Sequence, residues 1–425
     1  MPVDAPPPRI RSDDPASFAA SVLRDRHPAI VARVLADLPF AAPVRDGLAR
    51  LLQDPTVTPL PRDAHDHEDW DRWGEPYFGQ SMFDVPFLWA ENYFYRRLLY
   101  ATGYHEPGPW RGIDPFGPQK AADLPGEEEL RALDALLVLP EDEQASALVA
   151  AALWGNRADL GFQLAQRHAA ERAAERDAER AAQRDGERAA QRDGERDAQR
   201  DGERDGERGA ARAAEQGAGD GAPQRVDELV ADDTERLWKH LGGGTVCVVA
   251  DNAGRELLPD LVLIDFLLRT GRATRVELHV KPAPYFVSDA LTADVLTELW
   301  RFPADSAIGR RLWAALRAGV LELVTDPFYC APLEFPQMPA RLAARFGAAT
   351  LTILKGDLNY RRLVGDRSWS PETSFSSTTG YFPGPVAALR TVKSDVVVGL
   401  AAGVEAKLPA SWRTSGAFAM VQVRG

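Results

Sequence analysis

Cysteine is scarce in this chain of 425 residues, with only Cys247 and Cys330 present. Each lies in or beside an apolar run that reads as strand, so the pair fits buried free thiols in a reducing compartment and excludes a disulfide scaffold. Also lacking is any run of 18 apolar residues, and the opening MPVDAPPPRIRSDDPASF contains no apolar signal region. These absences predict a cytoplasmic protein with no membrane partner. Positive charge is in deficit, with 50 Lys and Arg against 63 Asp and Glu and a net charge of -13. That balance argues against nucleic acid or an anionic membrane as partner, although Lys and Arg can still dominate one cleft that takes a small anion. The glycine fingerprints of nucleotide sites are missing too. No Gly-x-x-x-x-Gly-Lys-Ser/Thr loop occurs, and Gly242-Gly243-Gly244 precedes its strand instead of following it.

What is present is the apolar content of real cores, 45% of residues, in a chain long enough for more than one domain of roughly 100 to 200 residues. Helical spacing runs from Asp14 to Leu52, as in Phe18, Val22, Leu23, Ile30, Val34 and Leu35. The polar, Pro-bearing stretch Thr56 to Glu75 reads as a loop. Within it His65 and His67 are either solvated loop residues, the favoured reading, or metal ligands lacking a third partner. Phe83 to Gly103 reads as a buried helix in which Glu91 either forms an internal ion pair or lines a cleft. Further helical patterns cover Glu127 to Leu139 and Glu143 to Trp154.

Residues 171–214 form a tetrapeptide array (ERAA, ERDA, QRDG and variants) with arginine at every fourth position from Arg172 to Arg212. A period of four drifts about 40° per repeat around a helix, and alanine is its only apolar residue, so it cannot contribute to a core. The predicted organisation is a helical N-terminal domain over 1–167, this exposed or disordered insertion over 168–222, and an α/β domain over 223–425. Thr245–Ala250, Arg275–Val280, Leu321–Thr325, Ala349–Lys355 and Asp395–Leu400 read as buried strands separated by helices, the pattern of a Rossmann-like, largely parallel sheet.

In such sheets ligands bind beyond the carboxyl ends of the strands. Polar residues collect there: Asp251, Asn252 and Gly254 after the first strand, Ser288 and Asp289 after the second, Lys355 through Asn359 after the fourth, and Arg390 to Lys393 just before the last. Asp251, Asn252 and Asp289 are hard oxygen donors suited to a divalent cation, and Lys355, Arg390 and Lys393 suit a phosphate. Each cluster alone is better explained by helix capping or loop chemistry; four at equivalent strand ends shift the balance towards a site.

Four segments, DNAGREL at 251–257, Ser288-Asp289, LKGDLNYRRLVGDRSW at 354–369 and RTVK at 390–393, resemble the metal-dependent damage-control phosphatases. The Arg-Thr-x-Lys element is similar to the subgroup that holds the acidic residue methyltransferase 1 proteins and fungal sugar-phosphate phosphatases, as is FDVPFLWAENYFYRRLL. The likeness runs from Phe83 to about Lys393, with the tetrapeptide array outside the family pattern. It implies a helical domain packed on an α/β domain and a divalent metal (Mn²⁺, Ni²⁺, Co²⁺ or Mg²⁺) held by Asp251, Asn252 and Asp289. Asp251 and Asp289 would serve catalysis. The substrate would lie against Asp251, Asn252, Lys355, Gly356, Asp357, Leu358, Asn359, Arg390 and Lys393, with Glu91 and Ser288 near the cleft. The implied activity is hydrolysis of small phosphometabolites such as fructose 1-phosphate or fructose 6-phosphate. The alternatives are an S-adenosylmethionine-dependent carboxyl methyltransferase, for which Asp251-Asn252-Ala253-Gly254 is a poor glycine-rich loop, and a non-catalytic phosphometabolite-binding protein. Nothing in the sequence sets the oligomeric state, and a monomer suffices.

Overall fold

A computed structural model describes residues 6–155 and 229–425. The tetrapeptide array lies outside the described residues. The N-terminal region is helical, with α1 (His27–Asp37), α2 (Ala42–Gln53), α3 (His67–Gly74), α4 (Phe87–Thr102), α5 (Gly117–Ala122) and α6 (Glu141–Leu153). α3 corrects the reading of 56–75 as loop: Glu68 and Asp69 favour its first turn, and Trp70 is buried. His67 Nδ1 lies 2.9 Å from the Ala64 carbonyl, and His65 packs tilted against His105.

The central helix α4 has no capping side chain of its own. Its first N–H groups instead donate to the Ile10 carbonyl and, from Leu88, to Asp366 Oδ2 at 3.2 Å. Gly103, at φ 74°, closes the helix. Around α4 the apolar core takes in Val34, Leu48, Trp70 and Trp89, and it extends to Tyr285 and Leu358 of the C-terminal region. The Glu91 ion pair is made with Arg361 and not with Arg96, whose guanidinium pairs with Asp66.

The C-terminal region is built on one seven-stranded sheet: β1 (Leu229–Asp232), β2 (Thr245–Val249), β3 (Arg275–Val280), β4 (Leu321–Thr325), β5 (Leu351–Lys355), β6 (Val386–Thr391) and β7 (Ala419–Arg424), in the order β1-β7-β6-β5-β2-β3-β4. β6, β5, β2, β3 and β4 are parallel neighbours, whereas β7 is antiparallel to β6 and parallel to β1. α7 (Leu257–Arg269), α8 (Thr292–Arg301), α9 (Ala307–Arg317), α10 (Ala340–Ala348) and α11 (Gly356–Val364) connect these strands. Four predicted strands are found in place. The fifth, Asp395–Leu400, is not a strand: Val396, Val397 and Val398 are fully buried, but side chains take their backbone groups. Val396 carbonyl accepts from Arg390, Val398 N–H donates to Tyr360, and Val398 carbonyl accepts from Gln422. The ladder position belongs to Val386–Thr391, which contains Arg390.

Chain order places β3 and β4 on one side of β2, and β5 and β6 on the other. The crevice of this sheet therefore opens between the carboxyl ends of β2 and β5, where the strand order reverses. Asp251-Asn252 follows one of those ends and Lys355-Gly356 occupies the other.

Candidate functional site

After β2 the chain runs extended through Asp251, Asn252 and Ala253, and it pairs there with the loop that follows β3. Asn252 and Asp289 form an antiparallel bridge, Ala253 N–H donates to the Ser288 carbonyl at 2.7 Å, and Ala290 N–H donates to the Asp251 carbonyl at 2.8 Å. To reach this pairing the loop holds Phe286 at φ 43° and Val287 at φ 71°. A β-branched residue in the left-handed region costs on the order of 1–3 kcal/mol, so the surrounding bonds over-determine the turn that delivers Asp289.

The side chains then interlock. Ser288 Oγ donates to Asn252 Oδ1 at 2.7 Å, while Asn252 Nδ2 donates to Glu256 Oε2 at 2.7 Å and lies 3.3 Å from Asp251 Oδ2. Lys281, the first residue after β3, brings its Nζ to 3.2 Å from Asp289 Oδ2. Lys120 of α5 donates to the Asp289 carbonyl at 2.8 Å and pairs with Asp114 and Asp294, each at 2.9 Å. Helix α5 of the N-terminal region thus buttresses the loop carrying Asp289.

Three carboxyl groups share this notch, and the crowding shows in their protonation. Burial, then the neighbouring Glu256 and Asp289 carboxylates, push the Asp251 carboxyl well above the usual range. Burial raises Asp289 as well, opposed first by Lys281. Burial works against the Lys393 ammonium, but Glu256, Asp251 and Asp357 outweigh it and lift its pKa. Lys393 Nζ lies 3.5 Å from Glu256 Oε1 and is half-exposed, so its ammonium faces the notch without being locked in it.

The β5 end meets Asp251 closely. Gly356 starts α11 at φ 81°, and a Cβ there would fall 1.8 Å from Asp251 Oδ2. Asn359 Nδ2 donates to both the Ala250 and Lys355 carbonyls, at 3.1 and 2.8 Å, and so ties the two strand ends together. The N-terminal N–H groups of α11 lack intrahelical acceptors and carry the positive end of its dipole towards this place, a setting for an anion.

The remaining predicted residues lie deeper. Lys355 is buried, with Nζ 2.9 Å from Asp260 Oδ1 and donating to the Ala152 carbonyl. Arg390 is buried over the Tyr360 ring at 3.9 Å and lies 3.2 Å from Asp357 Oδ1, which also accepts from the Lys393 N–H at 3.3 Å. Leu358 packs in the helical core. Glu91 is buried 2.7 Å from Arg361, whose guanidinium also holds Asp366. The structure therefore gathers Asp251, Asn252, Ser288, Asp289, Gly356 and Lys393 at one notch. It places Lys355, Leu358, Asn359, Arg390 and Glu91 behind it as supports.

Glu256, Lys281 and Lys120 are absent from the sequence reading of the site. Glu256 stands four residues after Asn252, just past the extended segment, and Lys281 holds the same strand-end place as Asp251; Lys120 carries no signal, because only tertiary packing brings α5 there.

The donor set fits a divalent cation. Asp289 Oδ2 is buried with only the Lys281 ammonium beside it, and two raised carboxyls with the Asn252 amide are hard oxygen ligands whose mutual repulsion a cation would remove.

The model of the damage-control phosphatase ARMT1-like domain matches residues 22–200 and 214–408. The match reaches well upstream of Phe83, and it includes part of the tetrapeptide array. The damage-control phosphatase ARMT1 of Danio rerio is 27% identical over 485 aligned residues, covering 98% of this chain and 97% of that protein. The Mus musculus protein of the same name is 34% identical over 218 residues, which span 46% of this chain and 50% of the mouse protein. A crystal structure of a DUF89 family protein from Pyrococcus horikoshii aligns over 92% of this chain and 94% of that one, with TM-score 0.44 and 14% identity.

Proposed function

The chain belongs to the damage-control phosphatase ARMT1-like family, and from that premise we propose that it is a metal-dependent phosphomonoester hydrolase. Its substrates would be small phosphorylated metabolites, with fructose 1-phosphate and fructose 6-phosphate the first to test. The observation that carries this reading is the Asn252–Asp289 bridge, which brings three oxygen-bearing side chains from two strand ends to the sheet's switch point.

Asp251, Asn252 and Asp289 would hold the cation, which when bound supplies a Lewis acid for the phosphate and a more acidic water. The chain's own residues do the rest. Ser288 and Glu256 fix the Asn252 amide, so that its Oδ1 keeps one direction. Lys281 pairs with the Asp289 carboxylate and Lys120 donates to its backbone carbonyl. Lys393 and the first N–H groups of α11 would offset charge on the non-bridging phosphate oxygens. Asp251 would orient the attacking water and accept its proton as the P–O ester bond breaks, and the leaving alkoxide would take up a proton from solvent to give the alcohol. Asp357, engaged by Arg390 and the Lys393 N–H, positions the Lys393 segment against α11.

The test is a panel of phosphomonoesters, p-nitrophenyl phosphate and the two fructose phosphates included, run after chelation and with Mn²⁺, Co²⁺, Ni²⁺ or Mg²⁺ restored. Turnover should vanish with EDTA and return with at least one metal. A folded Asp251→Asn variant that kept full activity would remove the metal assignment, and a chelator-insensitive wild type would remove the mechanism.

A further inference from the structure

Away from the strand ends, a second group of ligating side chains sits on the face of the sheet. Cys247 of β2 and Glu277 of β3 are direct register partners, and His279 follows two residues on, on the same face. Cys247 Sγ lies 3.8 Å from Glu277 Oε2, and His279 Nε2 lies 3.6 Å from the same oxygen. The three ligating atoms fall within 4.8 Å of one another, and no other group of this kind occurs among the described residues.

We propose that Cys247, Glu277 and His279 form a second cation site, built for a borderline-soft divalent ion such as Zn²⁺. It stands about 13 Å along β2 from the oxygen-rich notch, at some 3.3 Å per residue.

Four observations support it. A tetrahedral zinc with bonds of about 2.0 Å to N or O and about 2.3 Å to S spaces its ligands about 3.3–3.5 Å apart, so the two Glu277 edges need contract by only a few tenths of an ångström, and the Cys247–His279 edge, within 4.8 Å, by no more than about 1.3 Å. His279 is 0% exposed and its Nε2 has no hydrogen-bond partner, an orphaned nitrogen aimed at the other two groups. The opposite ring nitrogen, Nδ1, lies 2.7 Å from Tyr329 Oη, the outer contact that fixes tautomer and ring orientation in metal-bound imidazoles. Thr352, the register partner of Cys247 on β5, is fully buried with its hydroxyl against the Cys247 thiol, an oxygen available for a fourth position.

A thiolate, an imidazole and a carboxylate select zinc or cobalt over magnesium, the reverse of the Asp-Asn-Asp set at the strand ends. Arg345, half-exposed on α10, now lies 2.9 Å from Glu277 Oε2 and 3.4 Å from Glu322. On cation binding Arg345 would keep Glu322, Glu277 would turn to the ion, and the Cys247 thiol would release its proton to solvent. No oxidation or reduction is involved, and the inference does not depend on the phosphatase reading.

The experiment uses the full chain carrying Asp251→Asn, which disables the strand-end site, stripped with chelator and titrated with Co²⁺ alone. The expected result is one Co²⁺ per chain with a thiolate-to-cobalt charge-transfer band, bleached by Zn²⁺. The band should persist in D251N/C330S and disappear in D251N/C247S, and H279Q should weaken binding at least tenfold. Absence of the band in D251N, or its survival in D251N/C247S, overturns the proposal. Should C247S fail to fold by circular dichroism, X-ray absorption on zinc-loaded D251N replaces it; a zinc shell without sulfur overturns the proposal and one sulfur supports it.

Discussion

A Cβ built on Gly356 falls 1.8 Å from Asp251 Oδ2 and 2.0 Å from the Asp251 carboxyl carbon. The end of β5 therefore approaches the end of β2 so closely that no side chain fits between them. Gly356 also holds φ 81°, so sterics and backbone conformation demand glycine for separate reasons.

Gly356→Ala should accordingly displace the Asp251 carboxylate while leaving the fold in place. The left-handed backbone alone costs roughly 1–2 kcal/mol, well within a domain's stability. A misplacement of about 1 Å at the reacting centre costs on the order of 10²-fold in rate. We expect metal-dependent turnover to fall by at least that factor and calorimetric Mn²⁺ affinity to weaken, with circular dichroism unchanged. Wild-type metal affinity in Gly356→Ala would show that the contact has no part in the site.

Lys393 gives the complementary case. Its ammonium is half-exposed and 3.5 Å from Glu256, so its loss exposes little apolar surface and breaks one screened ion pair. Lys393→Met should change urea stability by less than about 1 kcal/mol yet lower kcat/KM for a phosphomonoester about 10²-fold. The test is steady-state kinetics beside denaturation on the same preparation. A loss of stability with kcat/KM intact would make Lys393 a structural cation.

The contrast between Lys393 and Lys355 marks what the sequence could convey. The strand-end position of Lys355 was legible, and so were β2 through β5, because buried parallel strands are written as unbroken runs of branched apolar residues; the sequence sets Lys393 before an apparent strand at Asp395–Leu400, whereas it follows β6. Which way each ammonium points was not legible: Lys355 is taken by Asp260, a residue of α7 that only the packing of that helix brings near. Asp395–Leu400 carries the same apolar signature as a strand but finds its hydrogen bonds on Arg390, Tyr360 and Gln422. An apolar run reports burial and not the partner of its backbone. Glu256 and Lys281 were visible as types but not as neighbours, since their relation to Asp251 and Asp289 depends on a loop held at two positive φ values.

Arg361 links the helical core to the site. Its Nη1 lies 2.7 Å from Glu91 Oε2 and its Nε 2.7 Å from Asp366 Oδ1, with all three side chains buried. Burial raises the Glu91 carboxyl and Arg361 opposes the rise, so removing the guanidinium strands two carboxyls at once. Arg361→Met should cost about 3–5 kcal/mol by urea denaturation. Glu91→Gln keeps the Asp366 pair and should cost about 1–2 kcal/mol. Equal losses from the two substitutions would mean that the Asp366 pair contributes nothing.

Glu298 on α8 predicts a pH dependence. It is 0% exposed, neither oxygen has a hydrogen-bond partner, and burial, opposed by Arg301 and aided by Asp294, pushes its pKa from 4.5 to about 8. A carboxyl whose folded pKa lies above its unfolded value favours the folded state below the unfolded pKa, and that contribution is lost as pH rises through the folded pKa. Wild-type stability should therefore fall from about pH 5 to pH 8 by an amount no larger than about 5 kcal/mol from this group. Asp251, Asp289 and Asp260 have raised values and add to the slope with the same sign, so the informative quantity is the difference between wild type and Glu298→Gln. The glutamine cannot ionise, and its curve should run flatter, drawing ahead of wild type as pH approaches 8 in metal-free buffer. Parallel curves across that range would mean that Glu298 is hydrated and ionises at an ordinary pH.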